Sequence, residues 1–250
     1  MTQQPMTLLP AASDRLMEEA GVYSLLAEFF LHNPDKALTD ALKALDPAGF
    51  SEVSDLAGTV ERLLAYLRLS DADADGQLLD LKRDWTKLFR GVSPSYGPTA
   101  PYGLLFLKGN VTEMMADLAA LYLDGGYDGY QQLHDRLDYI GVGFKYLHCV
   151  CLQMAHAVET RDAAEFGRLQ LCRRFFLEHY FLPWVPEFCE RARHYVKTPF
   201  YEAVLDMAVA SLDAYAEKDL KREAELLSAE ESRRRAEAEE QASKTAQQAL

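Results

Sequence analysis

Residues 15–31 read RLMEEAGVYSLLAEFFL, and the spacing of their apolar side chains decides the class of fold. Apolar residues recur in steps of four and three along this stretch, at Leu16, Ala20, Tyr23, Ala27 and Phe30. Residues at this spacing share one face of an α-helix. The pair Asn33-Pro34 then predicts the end of the helix, because the residue before a proline is pushed out of the helical region.

The same helical spacing continues along most of the chain. Further helices are predicted at about 36–45, 53–67, 78–88, 111–121, 139–160, 163–180, 187–195 and 200–215. No run of residues alternates in polarity with β-branched enrichment, so no strand is predicted. We therefore expect an all-α fold: a single helical-bundle domain of about nine to eleven helices with a long proline- and glycine-rich loop.

The composition predicts where this domain begins and ends. Residues 1–14 are predicted to be a flexible N-terminus, and residues 15–215 the helical domain. From residue 216 to residue 250 the chain is rich in Ala, Glu, Lys, Arg and Gln, with little to bury. We expect this charged, low-complexity tail to be helical or disordered and solvated. A coiled-coil partner for the tail is the alternative.

Charge and cysteine content exclude several classes of protein. The net charge of −13 over 250 residues argues against a nucleic-acid partner, since duplex binding normally needs a basic face. Four cysteines do not make a disulfide scaffold. No apolar run approaches the ~20 residues of a membrane helix, and the first residues lack the features of a signal peptide. We therefore expect a cytoplasmic protein without stable membrane insertion.

The residues that commonly carry catalysis form no recognised motif. Cys149 and Cys151 lie beside His148, but residues two apart on a helix point away from each other, so the thiols do not readily share a metal ion. Gly141-Val-Gly143 falls in a predicted helix with no strand before it, which is not typical of a dinucleotide-binding loop. The residues therefore give no positive indication of an enzyme, a bound metal or a cofactor.

The helical spacing breaks at residues 91–103, GVSPSYGPTAPYG, which include three prolines and three glycines. A loop of this length in a compact domain is uncommon and often functional. The helix before it ends in Trp85, Leu88 and Phe89. Two interpretations stand: these three side chains belong to the core, or they line a concave apolar binding surface together with the aromatic residues and prolines of the loop.

Three segments, taken in order, resemble the TorD/DmsD/NarJ family of redox-enzyme maturation chaperones. They are WTKLFRGVSPSYGPTAPYGLLF at 85–106, LDYIGVGFKYLHCVCLQM at 137–154 and FFLEHYFLPWVPEF at 175–188. The first resembles the family's Leu-Phe-x-Gly element and proline-rich loop, and the third its His…Pro-Trp…Phe element. In the second, the family's Pro-Asp-His is Leu137-Asp138-Tyr139, so only Asp138 is kept.

The resemblance implies a chaperone rather than an enzyme. Such proteins bind the twin-arginine signal peptide and the apo form of a molybdenum or tungsten oxidoreductase subunit, assist cofactor insertion and delay export. The partners it implies are therefore that catalytic subunit and its signal peptide. An acidic surface and an aromatic groove suit a peptide that offers two arginines and an apolar stretch.

The predicted client-binding residues come from the loop and from the three segments. We expect the client groove to be lined by Trp85, Leu88, Phe89, Pro101 and Tyr102, with Asp138 on its polar rim and Tyr23 of the first helix facing the same space. The residues His179, Pro183 and Trp184 are expected to be structural.

Two other functions remain open on the sequence. One is a helical metal- or nucleotide-dependent enzyme that uses His and Cys residues. The other is a permanent helical subunit of a redox complex, in which the groove is a fixed interface. A homodimer is one arrangement the sequence leaves open.

Overall fold

A computed structural model describes residues 9–46, 56–69, 74–91, 96–132 and 135–213. Within these ranges all regular structure is helical, apart from one isolated antiparallel bridge between Tyr102 and Tyr139. The predicted all-α fold is therefore confirmed. The chain divides into a compact unit of Met1–Ser211 and a second unit of Leu212–Leu250. The fold described below is that of the first unit.

Nine α-helices lie within the described ranges. They are α1 (Leu9–Leu31), α2 (Lys36–Lys43), α3 (Leu56–Arg68), α4 (Ala74–Phe89), α5 (Val111–Asp124), α6 (Ile140–Thr160), α7 (Ala163–Phe176), α8 (Val185–Arg193) and α9 (199–213). Short 3-10 helices cover Gly103–Leu105 and Asp128–Gln132. Three of the helices begin at polar caps whose side chains accept backbone N–H bonds, namely Asp35, Asn110 and Asp162.

The predicted domain boundaries fall close to the edges of the described residues. Helix α1 begins at Leu9, before the predicted domain start at residue 15. Residues 1–8 and 214–250 lie outside the described ranges, and so does Val53 of the third predicted helix. The boundaries at 14 and 215 therefore stay predictions. None of the described helices combines the length and the apolar character needed to cross a bilayer.

The core is centred on α1, which packs along α6. The whole predicted stripe on α1 is buried, from Leu16 to Phe30. The ring of Phe30 stacks on Phe144 of α6 at a centroid distance of 5.6 Å, and Tyr23 lies 6.2 Å from the same ring. Stacked aromatic pairs add stability beyond the area they bury, so this seam holds the bundle together.

The glycines of the Gly141-Val-Gly143 sequence make this packing possible. A Cβ added at Gly141 would lie 2.8 Å from Cγ of Leu31, and one at Gly143 would lie 2.3 Å from Cε2 of Phe181. Both distances are shorter than van der Waals contact. These glycines therefore bring α6 close to its neighbours, and they lie inside a helix rather than in a phosphate-binding loop.

The helix predicted for 163–180 changes form before its end. Helix α7 stops at Phe176, and a π-helical turn follows over Leu177–Phe181. The Leu182 N–H bonds back to the carbonyl of Leu177 at 2.8 Å, and Pro183 has no N–H to continue the helix. Turns of this kind are frequent at functional sites, and this one positions Trp184 at the start of α8.

Candidate functional site

The three sequence segments that carry the family resemblance meet at Gly103. A Cβ added at this glycine would lie 3.4 Å from Nε1 of Trp184 and 3.6 Å from Cβ of Asp138. The residue from the loop, the aspartate before α6 and the tryptophan after the π-helical turn therefore pack against one another. Their separation along the chain hides this arrangement from the sequence.

Backbone hydrogen bonds fix the end of the loop to the start of α6. The Gly103 N–H donates to the carbonyl of Asp138 at 2.8 Å, and the Ile140 N–H donates to the carbonyl of Pro101 at 3.0 Å. Helix α6 has no side-chain cap at Tyr139. The Pro101 carbonyl therefore satisfies one of the free N–H groups at the helix start.

The carboxylate of Asp138 lies at the centre of this junction. It accepts a 3.0 Å bond from the Leu104 N–H, and both of its oxygens accept bonds from Arg136, at 3.0 Å from Nε and 2.9 Å from a terminal nitrogen. The Asp138 side chain is 1% exposed, whereas that of Arg136 is 52% exposed. A buried carboxylate thus accepts two bonds from a guanidinium whose side chain is about half in solvent.

Two tyrosines frame the carboxylate, and they differ in exposure. Tyr139 is fully buried, and its hydroxyl donates to the carbonyl of Phe30 at 2.6 Å. Tyr102 is half-buried, and its ring lies 5.1 Å from that of Tyr139. The guanidinium of Arg136 lies 5.2 Å from the centre of the Tyr102 ring. Burial, followed by the charge of Asp135, raises the pKa of the Tyr102 hydroxyl.

Several apolar side chains are exposed or half-buried in the segment from Tyr102 to Val111, which also contains the exposed polar residues Lys108 and Asn110. Leu105 and Val111 are more than half exposed, and Phe106 and Leu107 are half-buried. The ring of Phe106 stacks on the buried ring of Trp184 at 5.3 Å, and this contact holds Phe106 in position. We call residues 102–111 the loop surface. Exposed apolar residues on one short segment make it a candidate interaction site.

The cavity beneath the loop surface is too small for a ligand. Its volume is about 10 Å³, roughly the space of one water molecule. Its lining includes Gly103, Asp138 and Trp184, together with Leu107, Met114, Leu118, Tyr122, Leu137, Tyr139, Gly143, Phe176, Tyr180 and Phe181. At its edge, burial and a 2.7 Å hydrogen bond to Asp117 raise the pKa of Tyr180 to about 12. This cavity therefore does not offer an internal binding pocket.

Three of the predicted groove residues are buried in the bundle. Trp85 donates from its indole N–H to the carbonyl of Phe29 at 3.0 Å, and the ring of Phe89 lies 4.8 Å from Phe30. Leu88 is fully buried. These contacts fit the interpretation of the three residues as core. A client-binding role for Trp85, Leu88 and Phe89 stays a prediction.

Of the other predicted residues, three come together and one does not. Pro101, Tyr102 and Asp138 lie at the junction described above. Tyr23 is buried on α1, and its hydroxyl lies 3.4 Å from a guanidinium nitrogen of Arg173. Its predicted role in the client groove stays a prediction.

The residues expected to be structural lie around the π-helical turn. Trp184 is buried and donates from its indole N–H to the carbonyl of Tyr180 at 2.7 Å. The exposed His179 stacks on Phe175 at 4.2 Å. Pro183 ends the turn.

Sequence reasoning missed two groups that shape the site, Arg136 and the pair of Leu105 and Phe106. An arginine two residues before the retained aspartate was the only signal for the first. The second group ends the first of the three segments, but the sequence does not show which of its apolar residues are exposed.

The cysteines offer no metal centre in the described part of the chain. No group of three or more His, Cys, Asp or Glu side chains in these ranges is arranged to hold an ion. Cys151 and Cys189 are buried, and burial raises the pKa of each thiol to about 12. Both thiols are therefore poor nucleophiles at neutral pH.

Comparison with known proteins places the chain in a family. A family model described as nitrate reductase delta subunit matches residues 52–190, more than half of the chain. The chain belongs to this family, the TorD/NarJ family. The matched region contains all three segments that meet at Gly103. The TorD/NarJ resemblance read from the sequence is thus confirmed.

A curated relative supports the same assignment. The chain is 24% identical over 198 residues to a protein named Chaperone protein TorD from Psychrobacter sp. (strain PRwf-1). The match covers 75% of this chain and 85% of that protein. No solved structure gives a significant match. The chain is therefore a TorD/NarJ-type protein, and the family is one of redox-enzyme maturation chaperones.

Proposed function

We propose that this chain is a cytoplasmic, non-enzymatic chaperone. It binds the twin-arginine signal peptide and the apo form of a molybdenum or tungsten oxidoreductase subunit, assists cofactor insertion and delays export. Membership of the TorD/NarJ family supports a role in redox-enzyme maturation. The finer steps, from peptide binding to delayed export, are the proposal.

One observation carries the proposal: a buried carboxylate stands at the edge of an exposed apolar surface. Asp138, which pairs with Arg136, supplies the carboxylate, and the loop surface supplies Leu105, Val111 and the half-buried rings of Tyr102 and Phe106. A signal peptide offers the complement, with two cationic side chains next to an apolar stretch. Each buried methylene of that stretch contributes about 0.8 kcal/mol, so the apolar contact supplies most of the affinity.

The charge of the whole chain favours the same ligand. A net charge of −13 attracts a cationic peptide and raises its association rate. This attraction is screened over about 10 Å at 0.1 M salt. Raising the salt concentration therefore slows association and leaves the apolar part of the affinity largely intact.

The predicted groove residues take two roles in this proposal. Tyr102 faces the peptide, with the buried Asp138 carboxylate beside it, and the buried Pro101 holds the loop in place through its bond to Ile140. Trp85, Leu88, Phe89 and Tyr23 support the site from the core. Trp85 does so through Arg90, whose guanidinium lies 4.6 Å from the Trp85 ring and 5.9 Å from the Tyr139 ring.

A peptide titration tests the proposal. A labelled peptide with two adjacent arginines and an apolar stretch is titrated against the purified chain, beside one peptide with lysines in place of the arginines and one with a polar stretch. We expect saturable one-to-one binding that weakens more than about tenfold without the apolar stretch. The lysine peptide binds more weakly because lysine lacks the planar fork of arginine. Equal binding of all three, or none, would overturn the proposal.

A second function is favoured by the description of the family model, which names a subunit. In that case the chain is a permanent member of a redox complex. The two functions differ in exchange, because a chaperone leaves the mature enzyme and a subunit stays. A labelled chain added to a purified complex of this chain with its client should exchange rapidly if the chain is a chaperone. It should not exchange if the chain is a permanent subunit. Light scattering of the isolated chain would test the homodimer, which stays a prediction.

A further inference from the structure

The side chain of Arg136 is held as a bound arginine ligand would be held. Its guanidinium makes two hydrogen bonds to the Asp138 carboxylate, at 3.0 and 2.9 Å, and lies over the Tyr102 ring at 5.2 Å. A carboxylate that accepts two bonds and an aromatic face are the groups that recognise guanidinium in proteins. Half of the Arg136 side chain is nevertheless in solvent.

The position of Asp138 is set by groups other than Arg136. Its carboxylate accepts the Leu104 N–H, and its carbonyl accepts the Gly103 N–H. The neighbouring Pro101–Ile140 bond fixes the same junction. If Arg136 turned into solvent, Asp138 and Tyr102 would therefore remain in place as a preformed receptor for a guanidinium group.

A second ion pair nearby provides a contrast. Asp135 binds Arg90 at 2.9 Å, but the Arg90 guanidinium also lies against the rings of Trp85 and Tyr139. Arg90 is thus packed from several sides. Arg136 is the more exposed of the two arginines, with 52% of its side chain in solvent against 36%.

We propose that Asp138 and Tyr102 form a subsite for a client arginine, which Arg136 fills until the client displaces it. This inference rests on the proposed function and adds to it an internal competitor, Arg136, for the position of a client arginine. The competitor lowers the apparent affinity by the fraction of chains in which the subsite is already filled. The subsite also binds arginine better than lysine, because only a guanidinium replaces both hydrogen bonds and the ring contact that Arg136 makes.

The variant Arg136→Gln tests the competition. We expect the twin-arginine peptide to bind this variant about three- to tenfold more tightly than the wild type, because the competing guanidinium is gone. The lysine peptide gains less than about twofold. Arg136→Lys keeps the charge and should give an intermediate gain. If the wild type binds the peptide and Arg136→Gln binds it no more tightly, the inference is wrong and the proposed function stands.

Arg191→Gln is the control for charge. Arg191 pairs with Glu187 on the exposed face of α8, and its guanidinium lies 5.7 Å from the Phe106 ring. The substitution removes the same positive charge near the loop surface without freeing a buried carboxylate. An affinity gain equal to that of Arg136→Gln would assign the effect to net charge and overturn the subsite.

A small-molecule rescue reads out the subsite without any client. Millimolar methylguanidinium should raise the Tm of Arg136→Ala, and methylammonium should not. Neither compound should raise the Tm of the wild type or of the double variant Arg136→Ala/Asp138→Asn. The same Tm with and without methylguanidinium in Arg136→Ala would contradict the inference. Absence of peptide binding in both the wild type and Arg136→Gln would instead overturn the proposed function.

Discussion

Glu19 of α1 and Arg173 of α7 form an ion pair inside the bundle, with 2.6 Å between a carboxylate oxygen and a guanidinium nitrogen. The two side chains are only 16% and 7% exposed. The Arg173 guanidinium also lies 5.9 Å from the ring of Tyr23. The pair therefore joins the first helix of the core to the helix that leads into the π-helical turn.

Breaking this pair is expected to destabilise the fold strongly. Arg173→Met should lower the free energy of unfolding by about 3–5 kcal/mol, because it leaves the Glu19 charge buried without its partner. Adding Glu19→Gln should restore part of the loss. Urea unfolding of the single and double variants measures both effects.

The matched control is Arg83→Met, since Arg83 pairs with Asp80 on an exposed face. Its cost should stay below about 1 kcal/mol. If the two substitutions at Glu19 and Arg173 have additive costs, the two residues are not energetically coupled and the account of this pair is wrong.

Asp84 is expected to hold the start of α9 against α4. Its buried carboxylate accepts bonds from the Lys197 N–H, the Thr198 N–H and the Thr198 hydroxyl, at 2.8 to 3.2 Å. Asp84→Ala leaves these donors unsatisfied and should cost at least about 2 kcal/mol of stability. Thermal unfolding of Asp84→Ala is compared with that of Asp80→Ala, an exposed carboxylate on the same helix. Equal melting temperatures would refute this role.

The stability of the bundle should fall in mild acid because of His148. Its Nδ1 lies 2.8 Å from the carbonyl oxygen of Ala20, across the seam between α6 and α1. Burial lowers the pKa of His148, and Lys145 adds to this, although the bond to Ala20 opposes it. With the folded pKa below the unfolded value of about 6.5, the unfolded chain takes up the proton first as the pH falls.

Stability is therefore lost as the pH drops below about 6.5 and down through the folded pKa. The melting temperature of the wild type should fall more between about pH 7.5 and 5.5 than that of His148→Gln, because glutamine at position 148 cannot take up a proton. Parallel pH profiles for the two proteins would show that His148 does not contribute.

The helices follow largely from the local spacing of apolar residues, but features that depend on contacts between distant segments do not. The stripe from Leu16 to Phe30 predicts α1 because a helix repeats every 3.6 residues whatever it packs against. The π-helical turn depends on tertiary contacts, such as that of the Phe181 ring with Phe144 of α6 at 4.9 Å, which no local pattern encodes. Helix α7 was therefore predicted to run on to residue 180.

The sequence indicates some residues of the junction at Gly103 and not others. The family resemblance pointed to Asp138 and the loop pointed to Tyr102, and the structure brings the two together. The partner of Asp138 was missed, because an arginine near an aspartate is common on any surface. Trp85, Leu88 and Phe89 could not be divided between core and groove, since both environments select apolar side chains on one helix face.

The central claim is that the loop surface binds the client peptide, and Tyr102 tests it most directly. Tyr102 is half-buried at the edge of that surface, whereas Trp85 is a buried core residue whose replacement by Ala should cost about 3–5 kcal/mol of stability. An aromatic side chain that acts as an anchor for a bound peptide contributes about 2 kcal/mol or more, which is roughly thirtyfold in affinity.

The measurement is a titration of a labelled twin-arginine peptide against the wild type, Tyr102→Ala and Tyr102→Phe, with a thermal melt of each. We expect Tyr102→Ala to lose about thirtyfold in affinity with little change in its melt, and Tyr102→Phe to keep most of the binding because the ring remains. Equal peptide affinities for the wild type and Tyr102→Ala, with matched melts, would contradict the account and remove the loop surface from the client site.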